Sequence, residues 1–311
     1  MAASNNYNLR AFRLLPKFVE RIWGKTDLTP WYESTGAGEG TKIGEVWLTG
    51  PECVIEGGGE DGRTLGDLAA QCVGTLDGVV PGEGYPLLVK MLFPDEKLSV
   101  QVHPDDVQAK TMGLSRGKTE CWYVLEAVPG ATVMCGLKPG VGLGDLRDGA
   151  RDGTLETMLN EVPVKAGDMV LVEAGTVHAI GPGVVLLEVQ QTCDVTYRLF
   201  DYGRGRDLHL EDGLKVVKFK TKSGTFESIE SEKFKRLVKT KYFVVDRFEV
   251  PAGNTFEMHM DGVGCVVGLS GKLAANEVRF GMGEAVVVPT GSVTMSSVEG
   301  GVFVRCFEPV E

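Results

Sequence analysis

The stretch LSVQVHPDD, residues 98–106, governs how the rest of the chain is read. Leu98, Val100 and Val102 alternate with Ser99, Gln101 and His103, the period-two pattern of a strand with one apolar face. The other face of such a strand normally meets water. Here it carries an amide and an imidazole two residues apart, and Pro104 then ends regular pairing. A strand that aims Gln101 and His103 the same way at its end offers two donor atoms to something held nearby.

Moving outward, most of the chain has the same strand character. Strands are expected at Glu45–Leu48, Leu87–Leu92, Leu98–Val102, Glu120–Leu125, Thr132–Leu137, Met169–Val172, Val184–Gln190 and Val195–Phe200. The 42 glycines, single or doubled between short apolar runs, suit tight turns between many short strands. Short helices interrupt them: TLGDLAAQCV (64–73) with Thr64 as N-cap, GDLRDGARDGTLETMLNEV (144–162) and DLHLEDGLKVVKF (207–219). GGGEDGR (57–63) is a hairpin turn rather than a phosphate-cradling loop.

The halves of the chain look like copies. VKAGDMVLVEAGTVHAI places Gly167, a strand, Gly175 and His178 in order; RFGMGEAVVVPTGSVTM places Gly283, a strand, Gly291 and Thr294 at the same spacings. Glu257-Met258-His259 then falls where Gln101-Val102-His103 falls, and Gly264 near Glu120. Two β-barrel or jelly-roll units with short helical insertions are expected. The division is 1–220 for a first lobe, 221–240 for a polar linker and 241–311 for a second, degenerate lobe.

Composition narrows the function. A chain of 311 residues with 43% hydrophobic and 24% charged residues is that of a soluble globular protein with a sizeable core. No apolar run is long enough to cross a bilayer, and the N-terminus lacks a signal-peptide layout, so the cytoplasm is expected. Seven scattered cysteines without a CxxC pair indicate neither a disulfide framework nor a zinc ribbon. A net charge of −11 excludes a general nucleic-acid binder, so an anionic ligand would need a local cluster of Lys and Arg. Oligomeric state is left open.

Only four histidines exist, and their contexts differ. His103 ends its strand beside Gln101, and His178 follows Gly175 in a turn. Glu120 opens the apolar strand ECWYVLEA, where a carboxylate is costly unless paired. If the fold gathers these strand ends, Gln101, His103, Glu120 and His178 supply two imidazole nitrogens, a carboxylate and an amide oxygen, a set suited to a divalent metal with an open position. His209 is expected to be exposed or capping and His259 structural. Trp23, Trp47 and Trp122 fit core packing, Cys121 a buried hydrophobe on the face opposite Glu120, and Glu45 either exposure or a carboxylate orienting a ligand histidine.

With these motifs in view, the sequence resembles the type I mannose-6-phosphate isomerases, in particular the short bacterial form of that cupin family. The resemblance is carried by FVERIWGKTDL (18–28), IGEVWL (43–48), PLLVKML (86–92), LSVQVHPDD (98–106), GKTECWYVL (117–125), AGTVHAIGPG (174–183) and VTYRLFDYGR (195–204), in family order over about two-thirds of the chain. Lys25 after ERIWG, where the family has a second glycine, is a small departure. The resemblance implies one Zn2+ per chain held by His103, Glu120 and His178, with Gln101 as a further ligand. It places the family's active-site arginine at Arg198, the lysine of the GKxE motif at Lys118 and the lysine before the metal strand at Lys90.

The implied reaction interconverts mannose 6-phosphate and fructose 6-phosphate by moving a proton between C2 and C1 through an enediol, with a hexose 6-phosphate as the partner. Arg198, permanently charged, suits stabilisation of negative charge or ring opening rather than proton abstraction. Lys118 is the candidate proton-transfer group if nearby cations lower its pKa. Lys90, in an apolar strand, is expected to orient a carboxylate or contact the sugar phosphate. Two rivals remain: a cupin oxygenase with iron on a two-His, one-carboxylate triad, and a non-catalytic sugar-binding cupin.

Overall fold

The computed structural model describes residues 10–71 and 84–309, so Cys72 and Val73 of the first expected helix lie outside the described residues. Three antiparallel sheets organise them. A central seven-stranded sheet runs, in spatial order, Gly224–Phe226, Met169–Val172, Glu120–Ala127, Val184–Gln191, Leu87–Leu92, Ile43–Trp47 and Lys17–Lys25. A five-stranded sheet runs Tyr197–Phe200, Val100–Val102, His178–Ile180, Thr132–Leu137 and Leu159–Pro163. A ten-stranded sheet holds Phe12–Leu14, Ile55–Glu56 and the eight strands from Ile229–Glu230 to Gly291–Phe307. The chain is mainly β, as expected, and among the described residues none of the three sheets closes into a barrel.

The sheets stack because the central one is apolar on both faces. Val184–Gln191 (VVLLEVQQ) is buried at all eight positions, the continuous apolar run of a strand covered on both sides. Val185, Leu187 and Val189 join Cys121, Tyr123, Val89 and Met91 in a core shared with Val245, Cys265, Val304 and Cys306 of the ten-stranded sheet. Leu186, with Trp122, Val124 and Leu92, turns the other way and packs against Val133, Cys135 and Ile180 of the five-stranded sheet. Each such aliphatic side chain contributes about 1.5–3 kcal/mol on full burial. Beyond the five-stranded sheet, Leu146, Leu199 and Leu214 form a smaller core under the helices Leu143–Asp152 and Leu210–Val216.

Two expectations about secondary structure change. Residues 159–162, expected as the tail of a helix, instead begin the edge strand Leu159–Pro163, pairing with Thr132–Leu137. Leu159 is buried and Asn160 and Glu161 are exposed, and Pro163 cannot extend a helix but is tolerated at an edge. The polar stretch 221–240 carries strands: Gly224–Phe226 lengthens the central sheet, and Lys235–Lys239 pairs with Val244–Val250 in the ten-stranded one. Thr64 caps Leu65–Gln71 as expected, its Oγ1 accepting from the Asp67 N–H at 3.1 Å.

The internal repeat extends to strand register. Gln101 pairs with His178 across two strands of the five-stranded sheet, and Glu257 pairs with Thr294 in the second half. Gly167 and Gly175 have φ of +92° and +91°, and Gly283 and Gly291 +75° and +115°, conformations that favour glycine. Where Glu120 opens its strand opposite Val172 and Gln190, Gly264 opens its own opposite Val288 and Phe307. The interior around that second strand is filled instead with Met258, Met260, Phe248, Phe303 and Phe307.

A buried ion pair also recurs with its polarity reversed. Lys90 and Glu188 are cross-strand partners in the central sheet; Asp246 and Arg305 hold the corresponding places in the second lobe. Asp246 is fully buried and accepts from Arg305 Nη2 at 2.5 Å and Arg236 Nε at 2.7 Å. Asp246→Ala would leave the Arg305 guanidinium uncompensated among Phe234, Phe248 and Phe307. Urea denaturation should register a loss of about 3–5 kcal/mol; a loss below roughly 1 kcal/mol would show that the pair is not what holds this interior together.

Candidate metal centre and active site

The facing sheets present two rows of polar side chains to each other. From the five-stranded sheet, cross-strand partners Arg198, Gln101 and His178 stand side by side. From the central sheet come Lys90, Glu188 and Trp122, again cross-strand partners, with Glu120 one step along. His103 follows its strand into the same space. The alternation seen in LSVQVHPDD is thus real: Val100 and Val102 pack under the helices while Gln101 faces the central sheet.

Three donors converge at the base. The ligand atoms of His103, Glu120 and His178 all lie within 4.8 Å of one another. His103 Nε2 is 3.5 Å from Glu120 Oε2, and His178 Nε2 is 3.3 Å from Glu120 Oε1. All three residues are buried at or below 1% exposure. His103 Nδ1 lies 3.0 Å from the Val195 carbonyl and His178 Nδ1 2.8 Å from the Thr176 carbonyl. A carbonyl only accepts, so each Nδ1 carries the proton and each Nε2 turns a lone pair inward. Burial, then the neighbouring positive charge of Lys118, drives the His103 imidazolium well below its ordinary range; burial above all lowers His178 to about 4. Both rings are neutral, as metal ligands must be.

The fit to a cation is tested by what these atoms lack. His103 Nε2 and both Glu120 oxygens are buried without a hydrogen-bond partner, a costly state for a carboxylate. Burial accordingly raises the Glu120 carboxyl, against the pull of Lys118 and Lys90. The Gln101 amide lies 3.2 Å from His178 Nε2 through its nitrogen; a half-turn of the amide brings its oxygen there instead. Two imidazole lone pairs, a carboxylate and an adjacent amide suit a divalent metal with an open position.

Above the triad lies a cavity of about 480 Å³ lined by Lys90, Lys118, Arg198 and Gln101 among others. Every residue expected at the site is therefore in one place. Lys118 is 4% exposed, its Nζ 3.4 Å from Glu120 Oε2. Burial opposes its charge, but Glu120, Glu188, Asp194 and Glu45 outweigh that and hold it above the ordinary lysine range. The expected downward shift is thus reversed, because carboxylates rather than cations surround it. Lys90 sits among Glu188 at 3.6 Å, Asp194 at 3.7 Å and Glu45 at 3.8 Å, with the Trp47 ring 5.1 Å away. Arg198 donates through Nη1 to the Asp207 carbonyl at 2.8 Å, and its Nε is buried without a partner.

Several further residues belong to the site. Glu188 accepts from Trp122 Nε1 at 3.2 Å, and Asp194, Arg21 and Arg206 line the cavity. Glu45 meets no histidine: it binds Arg21 Nε at 2.8 Å and Trp47 Nε1 at 2.7 Å. His209 also has a specific position, its Nδ1 accepting from the Arg198 N–H at 3.3 Å and its own N–H donating to the Arg198 carbonyl at 2.7 Å. His259 is exposed, near Asp261 at 3.8 Å. Cys121 faces the core away from Glu120, as expected.

Glu45 gives the site a measurable acid response. Burial would raise its carboxyl, but Lys90, Arg21 and the Trp47 N–H overcome this and lower it to about 2 from 4.5. A folded value below the unfolded one stabilises fully above pH 4.5 and is lost as the pH falls from there toward 2. Glu45→Gln should therefore cost up to roughly 3 kcal/mol at neutral pH, and the gap from the parent should close on acidification through that window. A gap independent of pH would mean that Glu45 is not held ionised by its neighbours.

No family model matches the chain. The chain is 34% identical over 250 residues to the mannose-6-phosphate isomerase ManA of Bacillus subtilis, covering 76% of this chain and 78% of that one. It is 34% identical over 244 residues to a mannose-6-phosphate isomerase of Streptococcus mutans, covering 74% and 76%. The crystal structure of a Bacillus subtilis mannose 6-phosphate isomerase superposes with a TM-score of 0.82 at 27% identity, over 96% of this chain and 99% of that chain. A putative mannosephosphate isomerase from Archaeoglobus fulgidus shares the fold, with a TM-score of 0.77 at 20% identity over 98% and 100%. The donor triad, the cation-lined cavity above it and these similarities agree: the chain belongs to the mannose-6-phosphate isomerase family.

Proposed function

We propose that the protein is an aldose–ketose isomerase that interconverts mannose 6-phosphate and fructose 6-phosphate, with Zn2+ as its metal. The observation that carries this reading is the neutral His103–Glu120–His178 triad, with orphaned buried lone pairs, beneath a cavity holding Lys90, Lys118 and Arg198. His103, Glu120 and His178 would hold the cation, with Gln101 as fourth ligand. A divalent cation there supplies polarisation of the sugar carbonyl and stabilisation of the negative charge that develops on the C1 and C2 oxygens.

The chain's own residues do the rest. Lys118 is the candidate group for the C1–C2 proton exchange: as the free amine, which the positive charge of a cation bound at Glu120 would favour, its Nζ takes the proton from C2 and returns it to C1. Arg198 lines the cavity and meets oxyanion charge without losing its proton. Lys90, fixed among three carboxylates, orients Glu188 and Asp194 and lends positive charge to the floor. Lys90, Lys118 and Arg198 are the substrate-binding residues, and Arg21 and Arg206 add cationic wall for the phosphate.

An iron oxygenase would share the triad but has no need of three cations over it, and the relatives are named isomerases. A non-catalytic sugar-binding cupin would have no need of the neutral donor triad, and the interior that corresponds to it in the C-terminal half is apolar. We read the layers as two cupin-type jelly-roll lobes, 1–220 and 241–311, joined by 221–240, with Phe12–Leu14 and Ile55–Glu56 crossing to the second lobe's sheet. No described helix is long and apolar enough to cross a membrane, and the six described cysteines are free and buried. Both are in keeping with a cytoplasmic enzyme.

A coupled assay should detect fructose 6-phosphate formed from mannose 6-phosphate, lost on chelation and restored by zinc. Lys118→Ala should keep its zinc yet lose about 10²–10⁴ in turnover; undiminished turnover would remove Lys118 from the proton transfer. Oxygen consumption in an iron-loaded protein inactive as an isomerase would overturn the whole reading.

A further inference from the structure

A second cavity, also about 480 Å³, lies where the central and ten-stranded sheets meet, and no residue lining it lines the first. Four lysines border it: Lys218, Lys222, Lys239 and Lys241. Asp105 neutralises Lys218 at 2.7 Å, and Glu173, the other acid in the wall, accepts from the Lys222 backbone N–H at 2.7 Å. Among the described residues, no carboxylate pairs with the ammonium groups of Lys222 or Lys239. In a chain of net charge −11, this is a local positive concavity. Its floor is apolar, formed by Leu171, Phe226 and the half-buried ring of Tyr242.

The cavity is the reverse side of the metal centre. Thr119, between Lys118 and Glu120, faces it, and its Oγ1 accepts from the Ala174 N–H at 3.2 Å. The Lys218 N–H donates to the Gly175 carbonyl at 2.8 Å, and the Gly175 N–H donates to the His103 carbonyl at 2.9 Å. A ligand drawing Lys218 away from Asp105 would pull on the Gly175 turn, which leads into His178 and is bonded to the His103 carbonyl.

We propose that this cleft is an effector site for a ring-bearing phosphate monoester, its dianion among Lys218, Lys222 and Lys239 and its flat ring against Phe226, since the Lys241 ammonium already lies over the Tyr242 ring at 4.7 Å. Lysines act as point charges for phosphate, and aromatic faces accept a planar ring. The ligand does not compete for the substrate cavity, and its binding is read first by calorimetry.

The test uses AMP as probe on the zinc-loaded protein, with inorganic phosphate as the ringless control, by titration calorimetry with and without saturating fructose 6-phosphate. Expected are saturable one-to-one binding of AMP that substrate does not displace, weaker binding of phosphate, and a loss of about tenfold or more in Lys222→Glu/Lys239→Glu. That variant should keep its isomerase rate without AMP but lose the change in kcat/KM that AMP causes in the parent. Displacement of AMP by substrate, absence of saturable binding in the millimolar range, or equal affinity in the charge-reversed variant would overturn the site. Binding that leaves kcat/KM of the parent unchanged would overturn the effector role.

Discussion

A carboxylate buried with no hydrogen-bond partner is the constraint from which the rest of this structure follows. Glu120 is fully enclosed and neither oxygen accepts a hydrogen bond; the Lys118 ammonium, 3.4 Å from Oε2, offsets only part of the cost of burying its charge. The surrounding atoms deepen the demand for positive charge. Glu45, Glu120 and Glu188 are buried beside the ammonium groups of Lys90 and Lys118, Glu45 is also bound by Arg21, and the two nearest imidazoles are neutral with lone pairs turned inward. A divalent cation satisfies all of these at once.

The second lobe shows what this scaffold does without that demand. The same turn glycines and register persist, but Thr294 stands for His178 and donates to Glu257, while Gly264 stands for Glu120. With glycine at the place of Glu120, the corresponding interior closes on phenylalanines and methionines. One buried ion pair survives with its signs exchanged, Asp246–Arg305 for Lys90–Glu188. A cross-strand pair at this place tolerates either polarity, which marks it as a packing element of the layer. In the first lobe the same element became part of the cavity floor.

The strands and the donor set were legible in sequence because each left a local mark. Alternation in LSVQVHPDD and a carboxylate in ECWYVLEA need no partner strand to be noticed. Leu87–Leu92, Thr132–Leu137 and Met169–Val172 form over the expected residues. Glu188 follows the same logic as Glu120, a carboxylate inside the apolar run VVLLEVQQ, and that signal was available. Arg21, Asp194 and Arg206 were not, since exposed polar segments carry them and only the stacking of sheets brings them to one cavity. The role of Glu45 and the direction of the Lys118 shift depend on which charges fold beside them, information that a single strand does not contain. The stacking of three sheets, none of them closed among the described residues, also follows from pairings between strands far apart in sequence.

The central claim is spatial: one cation sits between two imidazoles and one carboxylate at the floor of the cavity. Anomalous diffraction at the zinc edge from crystals of the protein purified with zinc tests it most directly. The account predicts a single strong peak about 2.0–2.1 Å from Nε2 of both His103 and His178 and about 2.0–2.2 Å from a Glu120 oxygen. No peak there in zinc-saturated crystals, with the two rings instead donating protons to Glu120, would contradict it.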